Sequence, residues 1–139
     1  MRIARALCTV FALSTLCCLS PAETSKKSAS IASLFGRIWN ITQSASQPAR
    51  GSIYIFLQNG TLLMTSCAET YRIATWARDR ENPDTLRITE DGRVTQSLTV
   101  TSVAPGVAHL TQTLLPAKTQ SALTLKSITK EFVCPDLPK

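Results

Sequence analysis

Two cysteines, one histidine and a few acidic pairs are the residues through which this chain has chemistry to offer. Cys67 closes the run IYIFLQNGTLLMTSC (53–67), and Cys134 stands in the terminal EFVCPDLPK. They lie far apart, unlike the close Cys-x-x-Cys of catalytic dithiols. In an exported domain two such cysteines imply one structural disulfide. His109 is the single histidine, inside the alternating run VAHLTQTLL. One histidine cannot build a His-rich metal centre, and no HExxH, Cys-x-x-Cys or EF-hand spacing occurs. A Ser-His-Asp triad needs only one, but no G-x-S-x-G elbow accompanies it, so His109 reads as a partly exposed strand residue. Glu90-Asp91 and the acids of RDRENPD (78–84) stand beside turn residues. They read as a hairpin turn and a solvated loop, not as two carboxylates facing across a cleft. The expectation is a protein that is not an enzyme and that needs no metal or cofactor.

Binding is the better-supported chemistry. SCAETYRIATW (66–76) is the densest aromatic stretch, with Arg72 and Trp76 on it, and Trp39 stands near the start of the first ordered segment. As a ligand site, Arg72 and Trp76 would stand at a barrel mouth, with Arg72 meeting an anionic headgroup, and Trp39 is the third candidate ligand-binding residue. Otherwise Trp76 is a packing residue and Arg72 a solvated charge. The basic residues are scattered along the chain without interleaved aromatics, so nucleic acid is not an expected partner.

The elements that would position these residues belong to an exported chain. MRIARALCTVFALSTLCCLSPA (1–22) has a basic end at Arg2 and Arg5, an uncharged apolar stretch from Ala6 to Leu19, and small residues at Ser20 and Ala22. That is the pattern of a cleaved signal peptide. The apolar stretch falls short of the roughly 20 residues of a membrane span, and no later stretch exceeds it, so no transmembrane helix is expected in the mature chain. Cys17 and Cys18 follow Leu16 and Cys17, not the small residue that precedes an acylated cysteine. The expected location is therefore periplasmic or secreted, with a lipid anchor the lesser alternative. Cleavage removes Cys8, Cys17 and Cys18 and leaves Cys67 and Cys134. Residues 23–33 are small and polar and read as a flexible leader, ahead of a single domain over 34–139.

Within that domain, RIWNI, SIYIFL, TLLMTSC, TYRIATW, TLRITE, RVTQSLTVTSV, VAHLTQTLL and SALTLKSI are separated by Asn59-Gly60, Asp91-Gly92, APG and other turn signals. Short alternating runs at this spacing predict an all-β fold, an antiparallel meander of about eight strands. The connections are too short for parallel crossovers, and closure into a barrel removes exposed edges. A two-residue type I′ turn at Asn59-Gly60 would put Leu57 opposite Leu62 and Phe56 opposite Leu63. The core face would then be Ile53, Ile55, Leu57, Leu62 and Met64. Tyr54, Phe56, Leu63, Thr65 and Cys67 would face outward, and a Cys67–Cys134 clasp would draw Phe132 and Val133 across that patch.

The Gly36-Arg37-Ile38-Trp39 start, followed by such a meander, resembles the exported lipocalin-like barrels of bacteria, the META and heat-shock-lipoprotein-like group included. The resemblance spans 35–129, with two residues between Gly36 and Trp39 where lipocalins have Gly-x-Trp. Small periplasmic lysozyme-inhibitor barrels are similar in size and export, but their Ser-Gly-x-x-Tyr loop is missing. The resemblance implies a small lipocalin-like barrel that binds a small apolar or amphipathic molecule in the cell envelope or outside the cell. The alternative is a structural or protein-interaction module, inhibitor-like, with a filled core.

Overall fold

A computed structural model describes residues 31–45, 51–67 and 70–130. A short 3-10 turn, Ile31–Leu34, precedes eight strands: β1 (Ile38–Ser44), β2 (Ile53–Phe56), β3 (Thr61–Thr65), β4 (Arg72–Arg78), β5 (Thr85–Glu90), β6 (Arg93–Ala104), β7 (Val107–Leu114) and β8 (Thr119–Ser127). Every strand pairs antiparallel with the next, and β8 returns to β1, so the sheet is a closed meander barrel. The expected all-β meander of eight strands is what the chain forms. No helix among the described residues is long and apolar enough to cross a membrane.

Turn chemistry sets the registers. Asp91 and Gly92 both take positive φ (49° and 75°), the mirror-image turn that suits the twist of a tight hairpin. At Asn59-Gly60 only Gly60 is left-handed, at φ 87°. Gly60 N donates to Leu57 O (3.2 Å) and Leu57 N to Thr61 O (2.9 Å). This is a type I turn followed by a glycine bulge, which adds one residue to the loop. Phe56 therefore pairs with Leu62, Ile55 with Leu63 and Tyr54 with Met64. A shift of one residue exchanges the faces of a strand. The expected core face is corrected accordingly: on β2, Tyr54 and Phe56 point inward beside Leu62 and Met64, while Ile53 and Ile55 point outward.

The lower end of the barrel holds the 3-10 turn and the β2–β3, β4–β5 and β6–β7 connections. Ile31 and Leu34 are buried there, so the segment read as a flexible leader over 23–33 contributes its Ile31 to the core. Trp39 is fully buried, and its Nε1 donates to Leu34 O at 2.8 Å. That bond satisfies a buried donor and fixes the floor turn against β1. Phe35 stacks on Trp76, with ring centroids 4.9 Å apart. Above this floor Ile41, Phe56, Leu62, Leu86, Ile88, Leu98, Leu110, Leu123 and Leu125 fill the interior. Register shifts at Ile41/Gln43, Ile88/Thr89 and Val100/Ser102 are bulges of the kind that bend strands around a small barrel.

Candidate functional site

The polar interior lies at the opposite, upper end. Gln96 and Gln112 are buried, each standing where its strand's alternation turns inward: Gln96 with Leu98 and Val100, Gln112 with Ala108 and Leu110. Gln112 Nε2 donates to Gln96 Oε1, and Ser121 Oγ donates to Gln112 Oε1 at 3.2 Å. Tyr54 joins through a side-chain hydrogen bond with Gln96. A second chain sits beside this one. Arg72 Nη1 donates to Glu90 Oε2 at 3.2 Å, and Thr95 Oγ1 to Glu90 Oε1 at 3.0 Å. Together Tyr54, Arg72, Glu90, Thr95, Gln96, Gln112 and Leu114 line a recess of about 120 Å³. Among the described residues no buried side-chain nitrogen or oxygen lacks a partner. The network is saturated by its own members, which makes it rigid.

Burial pushes the Tyr54 hydroxyl up to about 12, against a smaller opposing effect of the Gln96 bond. The phenol is therefore neutral at ordinary pH and serves as a hydrogen-bonding group. Because the folded value lies above the unfolded 10, this contribution is complete below pH 10 and is lost as pH rises through 12. Two units correspond to about 3 kcal/mol. Tyr54→Phe should accordingly flatten the alkaline limb of the stability curve, measured as the difference from wild type in urea melts between pH 9 and about 12. An identical alkaline limb in both proteins would place the titration elsewhere.

The structure does not bring the three expected ligand-binding residues together. Trp39 is part of the floor. Trp76 also belongs to the lower end, where its Nε1 donates to Leu57 O (2.9 Å) and Thr61 O (3.1 Å) across the β2–β3 turn. Arg72 begins β4 at the upper end, about 13 Å along the strand from Trp76. Both tryptophans act as packing residues that tie turns to strands, and Arg72 alone reaches the recess. The sequence marks none of Tyr54, Glu90, Thr95, Gln96 and Gln112 as a binding residue: Glu90 enters it as half of a turn-flanking acidic pair and Tyr54 as part of an outward patch. The available signal was a glutamine in the apolar phase of each of two alternating strands.

His109 is exposed on the outer face of β7, with Nδ1 3.3 Å from Thr124 Oγ1. Asp79 Oδ1 accepts from the backbone N–H groups of Glu81 and Asn82, both at 3.0 Å. These bonds, that from Asn82 first, hold its carboxyl below the usual value, and they make the acid a turn-former. No three His, Cys, Asp or Glu side chains gather for a metal among the described residues. On the outer face of β4–β6 an open groove of about 510 Å³ is lined by Arg78, Arg80 and Arg87 with Asp79, Glu81 and Val94. Arg87 pairs with Asp79 at 3.8 Å, an exposed contact that solvent screens. Cys67 lies just beyond β3, two residues past Thr65. Its expected partner Cys134 lies outside the described residues, as does the signal segment.

Fold and site together define a closed eight-stranded antiparallel barrel with an apolar floor and a polar upper layer. Comparison with protein-family models, curated proteins and solved structures finds no match.

Proposed function

We propose that this is an exported, non-enzymatic barrel that acts through its surface on a protein partner, with its interior serving as scaffold. The observation that carries the reading is the occupied interior. Trp39, Tyr54 and Phe56, three of the largest side chains, are each at most 2% exposed inside the barrel, packed among nine or more aliphatic residues. A pocket for a drug-sized molecule needs at least about 300 Å³, and the recess among the described interior residues is about 120 Å³. The similarity to lipocalin-like barrels enters this proposal as architecture. The inhibitor-like alternative raised by the sequence fits the packing better than the carrier. The groove flanked by Arg78, Arg80 and Arg87 is the surface that this reading assigns to a partner presenting carboxylates.

A second reading rests on the recess itself, where Arg72 stands beside Tyr54 and Gln96. It retains the lipocalin-like proposal in reduced form: the recess takes only the polar head of a small amphipathic molecule. Native mass spectrometry of the exported protein, purified without detergent or reductant, separates the two. The expected result is a bare protein mass and no saturable uptake of a fluorescent fatty acid. Oligoglutamate peptide should bind in a salt-sensitive manner and be lost in Arg78→Glu/Arg87→Glu. An adduct of defined mass that disappears on denaturation would overturn the surface reading in favour of the recess.

A further inference from the structure

The outer face of β1–β4 carries an apolar row that no other described strand covers. Register places Ile38 beside Ile55, Ile55 beside Leu63, and Leu63 beside Ile73. All four are on the outer face. Ile38 is 44% and Ile73 61% exposed, and Tyr71, just before β4, is 72% exposed. Four apolar residues in line on adjacent strands form a continuous band about 14 Å wide, the kind of patch that marks a contact surface. Ile53 shares the same face one row higher, yet it is only 8% exposed. In register it stands between Asn40 and Thr65.

We infer that the occupant of this band is the chain's own C-terminal segment, residues 131–139, fastened by a disulfide between Cys134 and Cys67. Three observations converge on it, independently of the partner proposed above. The described chain ends beside the band: Ile128 N donates to Ile38 O at 2.8 Å, two residues before Lys130. The reach is right as well. Cys67 lies two strands over from Ile38 and four residues above Leu63, about 17 Å away, and six extended residues from Ile128 to Cys134 span about 20 Å. The chemistry matches too. Phe132 and Val133 immediately precede Cys134, so a segment fixed at Cys67 carries its apolar residues across Ile53, Ile55 and Leu63. Forming the bond joins Sγ to Sγ and removes one proton and one electron from each thiol. A disulfide-bearing oxidant of the export compartment accepts both electrons by exchange and leaves as a dithiol.

Non-reducing peptide mapping of the exported wild-type protein should yield one cross-linked peptide containing Cys67 and Cys134, a result that needs no variant to fold. Truncation after Lys130 should raise the fluorescence of an apolar dye several-fold. Leu63→Ser in the truncated chain should bring it back toward the starting level. Free alkylation of both thiols in the exported protein would overturn the inference. So would dye binding that truncation leaves unchanged, and a dimer whose interface holds Ile73 would assign the band to a second copy instead.

Discussion

Trp39→Ala is expected to be the most damaging single substitution in the barrel, lowering stability by about 4 kcal/mol. The indole is fully buried, and its removal leaves a cavity at the junction of the floor turn and β1. The loss extends beyond apolar contact. Leu34 O would lose the donor that now reaches it at 2.8 Å, and with it the hydrogen bond that ties the 3-10 turn to β1. Ile31 and Leu34 pack beneath Trp39 in the same cluster, so a loosened turn would expose them as well. Small domains have a total stability of only about 5–15 kcal/mol, and this change would consume much of it. Trp39→Phe separates the two effects: it retains most of the ring and deletes the donor, for an expected cost of about 1–2 kcal/mol. Urea unfolding followed by far-ultraviolet circular dichroism is the measurement. Equal losses for the two variants would mean that the hydrogen bond, and not the ring, secures the floor.

The second large effect belongs to the paired glutamines. Gln96→Leu removes the acceptor for Gln112 Nε2 and the partner of Tyr54 in one step. A buried polar group left without its partner costs about 1–3 kcal/mol, and two are affected, so a loss of about 3 kcal/mol is expected. Gln112→Leu deprives Gln96 and Ser121 in the same way. The double variant should cost less than the two singles combined, by about 1 kcal/mol or more, because replacing both partners leaves fewer orphaned groups. A double-mutant cycle in urea measures this directly. Strict additivity would show that the two side chains are solvated independently and that the upper layer is not a network.

The strands were legible because their alternation is strong and their turn signals are frequent. TLRITE forms β5 over the same residues, Thr85–Glu90, that the pattern marked. The register of the first hairpin was not legible, and the reason lies in SIYIFL. Both of its phases are apolar, Ile53 and Ile55 in one, Tyr54 and Phe56 in the other, so hydrophobicity could not choose between them. The choice fell to the turn, and Asn-Gly serves a two-residue mirror-image turn and a type I turn with a glycine bulge alike. Asp91-Gly92, with the same kind of dipeptide, took the other option. Of the residues that line the upper recess, the sequence marked Arg72 as a candidate and not its neighbours. Positions four apart on a strand share a face but stand at different heights, so Arg72 and Trp76 reach opposite ends of one barrel. The upper layer is assembled from β2, β4, β5, β6, β7 and β8, contacts that no local spacing announces. Gln96 and Gln112 were its readable trace.

The pairing of β1 with β8 has a kinetic side. The other seven pairings join strands that are neighbours in the chain and need only short loops to close. The eighth joins Ile38–Ser44 to Thr119–Ser127, and its entropy of closure is that of almost the whole domain. A chain emerging from its N-terminus therefore carries β1 as an unpaired edge until the last strand has appeared, open to any other chain that offers a strand. Completion of the ring is the step that ends this exposure, and it is the strand pairing of greatest sequence separation, the kind of contact that slows folding.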